Sequence, residues 1–428
     1  MNKCIKKLTS PLKGEICIPA DKSISHRAAI MLALSKGSSV IRNFSQALDP
    51  KSTLNVLSNL GVEFNYINDS DINITAPKNF TNPQNALYCG NSGTTMRLMA
   101  GILAAQHFSS ILTGDESLSN RPMKRIIDPL TKFGAIITGA SSKPPLMITG
   151  KYLSATDYFS PISSAQVKSA CLLAALQANG TSAFSEPFLS RNHTEIMLKY
   201  LGADISIDSA HNTVYITNSE LQPKDITVPG DISTAAFFIA AALLVPGSSI
   251  TIKNVGLNPT RTGFLDVCKS MGAEIEIVNI SELCGEIIGD IRVNYSDLKP
   301  FIIGGDFIPR LIDEIPLLAL LATQADGESH ITGAQDLRNK ESDRITSTTN
   351  ALKSLGANIE EFSDGFRIVG KTPLKGGCKV ETQNDHRLVM STFVAGLITK
   401  EPISISGFEW INISAPEFEK LFAQIIKC

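Results

Sequence analysis

One phrase recurs along this chain and constrains its fold more than any single motif. An apolar helix rich in small residues leads through a short turn into a Ser/Thr-rich strand. A second helix follows and closes on a Leu-Gly-Ala-like turn into another strand. The closing phrase reads LSNLGVEF at Leu57–Phe64, LTKFGAII at Leu130–Ile137, LKYLGADI at Leu198–Ile205, CKSMGAEI at Cys268–Ile275 and LKSLGANI at Leu352–Ile359. A sixth copy, Phe418–Cys428, is expected to lack its strand because the sequence ends there. Gly61, Gly134, Gly202 and Gly272 lie about 70 residues apart, so one supersecondary unit is used again and again.

The opening helices are expected at His26–Leu34, Thr95–Ala105, Val167–Ala178, Thr234–Val245, Glu314–Thr323 and His386–Ile398. Stretches such as KSACLLAALQ and AAFFIAAALLV are apolar on every face, and a helix of that kind is buried on every face. The second helices carry lysines and polar residues and should set one side on a sheet and the other in water. Segments such as SSVIRNF, SSITIKN and ISISGF alternate as short strands. Each closing glycine suits a left-handed helix cap.

Six copies divide into three per domain. Pro and Gly break the pattern near Pro19–Asp21 and in TVPGD at Thr227–Asp231, which marks the two chain crossings. The expectation is one domain from residues 1–19 plus 230–428, completed by the N-terminal strand, and another from residues 20–229. Two domains on a short double hinge invite a cleft that closes on ligand, and the active site is expected in that interdomain cleft.

At 428 residues and 43% hydrophobic content the chain can fill two sizeable cores. A net charge of -2 gives no global basic field for nucleic acid or an anionic membrane. The cysteines at 4, 17, 89, 171, 268, 284, 378 and 428 form no CxxC pair or metal-ligand spacing, so reduced thiols packed as small apolar groups are expected. The N-terminus has no continuous apolar core of a signal peptide, and the run from Ala235 to Val245 is too short to span a bilayer. A reducing cytosol is the expected compartment.

The chemistry-bearing segments nearly all sit where a buried helix begins. DKSISHR at Asp21–Arg27 sets Lys22, Ser23 and Arg27 at a helix start, where Asp21 or Ser23 can cap. Cations and hydroxyls at such a start make an oxyanion or phosphate site. GNSGTTMR at Gly90–Arg97 offers backbone N–H groups to an anion but lacks the Gly-Lys-Ser/Thr of a Walker loop. In ESLSNRPMKR, Arg121 precedes Pro122, which suits the first position of a helix; Lys124 and Arg125 read as a solvated face.

SSAQVK at Ser163–Lys168 and SRNHT at Ser190–Thr194 also open helices. Capping accounts for Ser164 and Ser190 but not for Gln166 and Arg191, and His193 reads as a structural polar residue. In LIDEIP the Asp313–Glu314 doublet is hemmed in by apolar residues and should be paired or functional. RNKESDR at Arg338–Arg344 packs five ionisable side chains into seven positions, which favours a network. In NDHR, Asp385 can cap while Arg387 opposes the helix dipole, which points to an anion beside it. If the domains face each other, these helix starts focus positive potential into one gap.

Taken together, DKSISHR, GNSGTTMR, the Arg-Pro element, SAQVK, RNKESDR and NDHR resemble, in order and over essentially the full length, the 3-phosphoshikimate 1-carboxyvinyltransferase family, the EPSP synthases. That resemblance implies an α/β (α+β) fold of two inverse α/β barrels, each of three βαβαββ repeats around buried helices. It implies transfer of the enolpyruvyl group of phosphoenolpyruvate to the 5-hydroxyl of shikimate 3-phosphate, with release of phosphate. The reaction, a step of the shikimate pathway toward chorismate and the aromatic amino acids, runs by addition and elimination without metal or organic cofactor.

The resemblance also implies the roles of individual residues. Lys22, Ser23, Arg27, Ser164, Gln166, Arg191, Asp313 and Lys340 bind shikimate 3-phosphate. Lys22, Gly93, Arg121, Gln166, Arg344 and Arg387 bind phosphoenolpyruvate. Lys22, Asp313 and Glu341 are the catalytic set, with Asp313 the first candidate base and Glu341 the proton donor and acceptor at the methylene carbon; which carboxylate takes which step stays open. Gly93 leaves room for a larger analogue, which implies sensitivity to glyphosate. The chain departs from the family pattern at Ala165, Asn339 and Ala415, and NISAPEF lacks a lysine found there in some members. The expected partners are the two small substrates, with no nucleic acid, no membrane and a monomeric chain.

Three other readings compete, the first a family of the same fold and reaction type and the last a different class. A UDP-N-acetylglucosamine enolpyruvyl transferase would carry a reactive cysteine ahead of the arginine matching Arg121, and GDESLSNRP has none. RNA 3'-phosphate cyclases share the repeat, but the sparse histidines give no sign of a nucleotidylated one. A non-catalytic anion-binding repeat protein would keep the cations and need neither Asp313 nor Glu341.

Overall fold

The computed structural model describes residues 1–426. It divides into two compact units, one from Ala20–Val228 with Leu283–Glu286, the other from Met1–Pro19 with Pro229–Glu282 and the chain from Ile287 onward. In the first unit the helices are α1 (Lys22–Leu34), α2 (Leu48–Ser58), α3 (Gly93–Leu103), α4 (Lys124–Lys132), α5 (Ala165–Ala175) and α6 (His193–Tyr200). The second unit holds α7 (Ile232–Leu244), α8 (Gly263–Ser270), α9 (Ile315–Gln324), α10 (Arg344–Ser354), α11 (His386–Gly396) and α12 (Phe418–Ile425).

Each complete repeat is strand, helix, strand, helix, hairpin. The third shows it plainly: Asp157–Phe159, α5, Thr181–Ser185, α6, then Ile205–Asp208 and Thr213–Thr217, folded into one four-stranded sheet. Its first strand pairs in parallel with the second, and the hairpin adds antiparallel strands. The opening strand of the first repeat comes from the far end of its unit, where Ile226–Thr227 pairs in parallel with Ile41–Arg42. In the second unit the N-terminal strand Lys13–Cys17 takes that place beside Ser249–Gly256. The last sheet has three strands, with Lys3–Ile5 lying antiparallel to Ile403–Ile405. The end of the sixth copy, residues 427–428, lies outside the described residues.

The repeat's glycine has one conformational reason. Gly61, Gly134, Gly202, Gly272 and Gly356 have φ of +93°, +91°, +88°, +86° and +93°, a region that disfavours any Cβ. In each of these five copies two bonds close the helix. The first copy has Gly61 N–H to the Ser58 carbonyl at 3.0 Å and Val62 N–H to the Leu57 carbonyl at 3.1 Å. The fifth has Gly356 N–H to Lys353 at 2.9 Å and Ala357 N–H to Leu352 at 3.0 Å. These bonds satisfy last-turn carbonyls and turn the chain toward its next strand.

The first helix of each repeat forms the interior. All thirteen residues of α7 are buried, and α9 is buried from Ile315 to Thr323. Phe237, Phe238, Phe393, Phe418 and Phe422 interlock beneath α7, with the rings of Phe238 and Phe422 stacked at 4.4 Å. In the other unit α3 and α5 approach so closely that only Gly101 fits against the Ala170 carbonyl. Cys89, Cys171 and Cys268 are packed as expected, and burial pushes the Cys89 thiol up to about 12. Cys4 and Cys17 are exposed instead, because they lie on outward positions of edge strands. Among the described residues no helix is long and apolar enough to cross a membrane.

A methyl group at Gly101 would overlap the Ala170 carbonyl, and overpacking of this kind costs about 1–3 kcal/mol. Gly101→Ala is therefore expected to lower the calorimetric unfolding midpoint. An unchanged midpoint would contradict the close α3–α5 packing.

Candidate active site

In the first unit the buried helices start earlier than their apolar pattern suggests, and this moves the polar motif residues into the first turns. Lys22 and Ser23 open α1, Gly93 opens α3, and Gln166 is the second residue of α5. Asp21 rather than Ser23 caps α1, accepting the Ile24 N–H at 2.8 Å. Ser164 occupies the cap position of α5, but its hydroxyl makes no capping bond. Ser190 does not cap α6: that helix starts at His193, and the Ser190 hydroxyl donates to Glu186 at 2.9 Å. Pro122 is likewise not the first residue of a helix. α4 starts at Lys124 with Met123 as its cap, so Arg121 lies in the turn between a short helix, Glu116–Ser119, and α4.

In the first unit these side chains are held by bonds from neighbouring elements. Lys22 Nζ lies 3.0 Å from Asp49 at the start of α2. Arg27 is buried on α1; its Nε donates to Thr194 Oγ1 on α6 at 2.8 Å and its Nη2 to Ser169 Oγ on α5 at 2.8 Å. Arg121 Nη2 donates to Asn91 Oδ1 at 2.7 Å, and Asn91 is fixed in turn by Asp115 at 2.8 Å. Gln166 donates to Thr94 Oγ1 at 3.0 Å and accepts from Arg97. A Cβ at Gly93 would come within 2.9 Å of Arg97 Nη1 and 3.3 Å of Arg121 Nη1, so two guanidinium groups border that glycine. Arg191 is half-buried in the turn ahead of α6.

A buried hydroxyl chain ties α1, α2 and α3 together. His26 Nδ1 meets Thr53 Oγ1 at 2.6 Å, Thr53 meets Thr95 Oγ1 at 2.7 Å, and Thr95 donates to Ser92 Oγ, the cap of α3, at 2.8 Å. Burial first, then the charges of Lys22 and Arg27, hold His26 well below the usual imidazole range, so it is neutral near pH 7. His193 is also structural, 2.6 Å from Glu286.

In the second unit the charges gather around Arg344, the first residue of α10 and 1% exposed. Its Nε donates to Asp385 Oδ2 at 2.8 Å, its Nη2 to Glu341 Oε2 at 2.7 Å, and its Nη1 to Asp313 Oδ1 at 3.2 Å. Burial alone would lower its pKa, but Asp385, Glu341 and Asp313 reverse that and hold its proton above the ordinary arginine range. Lys340 Nζ lies 3.9 Å from Asp313. Asp385 caps α11 through the Arg387 N–H at 2.9 Å, and the Arg387 guanidinium sits over the Phe237 ring at 6.0 Å. The RNKESDR network splits in two. Arg338 turns away to Asp343 at 2.7 Å and Glu361 at 2.9 Å, leaving Lys340, Glu341 and Arg344 with Asp313. Asn339 is exposed and Ala415 is fully buried, so neither supplies a polar group here.

Each unit thus carries its own cationic set. Lys22, Ser23, Arg27, Gly93, Arg121, Ser164, Gln166 and Arg191 belong to the first, and Asp313, Lys340, Glu341, Arg344 and Arg387 to the second. Sequence reasoning named no role for Arg97, although it stands one helical turn after Gly93 in a quoted motif. It also missed Asp49, and saw in Asp385 only a cap.

Helix starts that gather cations in both units define an anion-handling protein on a known fold. Over 99% of the chain the structure resembles the enolpyruvyl transferase NikO from Streptomyces tendae (97% of that chain, TM-score 0.82), a likeness of fold at 16% identity. The EPSP synthase from Acinetobacter baumannii matches with TM-score 0.88 and 39% identity over 99% of this chain and 98% of that one. The 3-phosphoshikimate 1-carboxyvinyltransferase of Thermodesulfovibrio yellowstonii is 49% identical over the whole of both chains. That of Petrotoga mobilis is 48% identical over 97% of this chain and 98% of its own. The profile of the family described as EPSP synthase (3-phosphoshikimate 1-carboxyvinyltransferase) matches residues 6–422. The chain belongs to the EPSP synthase family and is an enzyme; neither the UDP-N-acetylglucosamine transferases nor a non-catalytic repeat protein is the better description.

Removing the charge of Asp385 would leave a fully buried arginine short of the partner that accepts from it through both carboxylate oxygens. Breaking such a pair costs about 3–5 kcal/mol, whereas an exposed pair is worth about 0–1 kcal/mol. Asp385→Asn is expected to lower the urea midpoint far more than Arg292→Gln, which breaks the exposed pair with Glu276. Equal shifts would show that the Arg344 cluster is not buried as described.

Proposed function

We propose that this chain transfers the enolpyruvyl group of phosphoenolpyruvate to the 5-hydroxyl of shikimate 3-phosphate, with both cationic sets serving one reaction. Two phosphates and two carboxylates bring together about five to six negative charges, which repel unless cations meet them. Lys22, Arg27, Arg121, Arg191, Lys340, Arg344 and Arg387 answer that charge. The reading rests on full-length membership of the family, together with one physical observation: Lys22, Gln166, Arg344 and Arg387 all occupy the first turn of a buried helix. There the dipole favours an anion beside the cation.

In this account Lys22, Ser23, Arg27, Ser164, Gln166 and Arg191 hold the shikimate ester, while Asp313 and Lys340 meet its ring hydroxyls. Lys22, Gly93, Arg121, Gln166, Arg344 and Arg387 hold phosphoenolpyruvate; Arg97 joins them through its bond to Gln166. Asp313 takes the proton of the 5-hydroxyl as its oxygen bonds to C2 of phosphoenolpyruvate. Glu341 gives a proton to C3, forming the tetrahedral ketal phosphate. One proton of the resulting methyl group then returns to Glu341 as the C–O bond to phosphate breaks, and the proton held by Asp313 leaves with the phosphate. Both carboxylates bond to Arg344. An incoming substrate carboxylate takes over those guanidinium N–H groups and releases Asp313 and Glu341 for proton transfer. The reading takes the enzyme as a cytosolic monomer.

Phosphate release with both substrates tests this. Arg121→Ala is expected to raise the phosphoenolpyruvate KM by an amount equivalent to about 2–5 kcal/mol. Glu341→Ala is expected to lower kcat by about 10²–10⁴ with smaller changes in KM. Lys22→Ala should raise both KM values. Gly93→Ala should weaken phosphoenolpyruvate binding by pushing Arg97 and Arg121 aside, and glyphosate should slow the wild-type enzyme when phosphoenolpyruvate is low. Wild-type kinetics in Lys22→Ala, Arg121→Ala and Glu341→Ala alike would remove the assignment.

A further inference from the structure

The SAQVK motif ends on a lysine that the reaction does not use. Lys168 lies in the first unit, on α5 two residues after Gln166, and its side chain is 1% exposed. Its Nζ lies 2.7 Å from Glu186 Oε1 and 2.8 Å from Glu195 Oε1, and both carboxylates are buried as deeply. Burial would lower the lysine's pKa, but Glu195 and Glu186 outweigh it and keep the ammonium charged. Two carboxylates against one ammonium leave an excess of buried negative charge. Glu186 Oε2 and Glu195 Oε2 have no hydrogen-bond partner among the described residues.

Such a cluster is a poor way to gain stability, since an apolar trio of the same volume commonly does as well or better. Its distinctive product is direction. Glu186 Oε1 accepts the Ser190 N–H at 2.8 Å and the Ser190 hydroxyl at 2.9 Å, and Lys168 Nζ donates to the Ser190 carbonyl at 3.1 Å. All three polar atoms of Ser190 are therefore held by this ion pair, and Arg191 is the next residue. The same junction fixes Arg27: Ser169, beside Lys168, and Thr194, beside Glu195, both accept from its guanidinium and meet each other at 2.6 Å.

We propose that the Lys168–Glu186 pair is a positioning device that holds the Ser190–Arg191 turn for the phosphate of the shikimate ester, with Glu195 as the second counter-charge. Glu186 is thus a positioning residue for affinity toward the phosphorylated substrate. The inference rests on the assignment of Arg191 to that phosphate.

Two variants separate positioning from mere stability. Glu186→Gln and Glu195→Gln remove the same charge from the same cluster, but only Glu186 bonds to the Ser190 turn. Trading a charge-assisted bond for a neutral one at this turn is expected to raise the shikimate 3-phosphate KM about tenfold in Glu186→Gln. The phosphoenolpyruvate KM should stay within about twofold, and Glu195→Gln should raise the shikimate 3-phosphate KM less than about twofold. With unphosphorylated shikimate, Glu186→Gln and wild type should share one kcat/KM. Should a single variant not fold, the uncharged Lys168→Met/Glu186→Gln/Glu195→Gln protein carries the same test, with the same raised KM expected. Equal KM shifts in the two single variants, or the same loss with shikimate, would overturn the proposal. An unchanged KM in Glu186→Gln beside a raised one in Arg191→Ala overturns the inference alone. Unchanged values in both remove the site assignment beneath it.

Discussion

The structure depends on cations held at the first turns of buried helices. Left to itself, an arginine beside a helix N-terminus is repelled by the dipole and by its neighbours. Here each is tied down by partners from other elements: Arg27 by α5 and α6, Lys22 by Asp49 of α2, and Arg344 by three acidic residues, the cap of α11 and the segments before α9 and α10. Those ties turn long, flexible side chains into fixed charges. Fixed charges orient an anionic substrate without reorganising when the reaction begins, which is how electrostatic catalysis gains its effect.

The repeat makes this possible with little sequence. One glycine in each of five copies, in the left-handed region, stops the second helix and returns the chain to its sheet. One apolar helix per copy fills the interior, so its first turn can be polar without weakening the core. The N-terminal strands complete the second unit's sheets.

Much of this was legible because it rests on local chemistry. The Leu-Gly-Ala phrase needs a residue tolerant of positive φ, and a helix apolar all round has nowhere to go but inside. Helix starts were less legible. Lys22, Gly93 and Gln166 lie inside helices that were expected to begin two or more residues later, since a polar first turn carries no periodic signal. Pro122 looked like a helix start because proline fits there; Met123 takes the cap instead. The long-range partners were invisible. Asp385 reads as a cap, yet its main bond is to Arg344, 41 residues away, and Lys168 finds Glu186 and Glu195 across two loops. Arg97 stayed unassigned because an arginine inside an apolar helix gives no hint of which helix it will face.

If these cations are fixed and already directed at an anion, the phosphate of the shikimate ester should carry much of its binding energy. Calorimetric titration of the wild-type enzyme with shikimate 3-phosphate and with shikimate measures that contribution directly. The account predicts that the phosphorylated ligand binds tighter by about 100-fold or more, as two or more charge-assisted hydrogen bonds imply. Equal affinities would mean that Lys22, Arg27 and Arg191 do not form the phosphate seat.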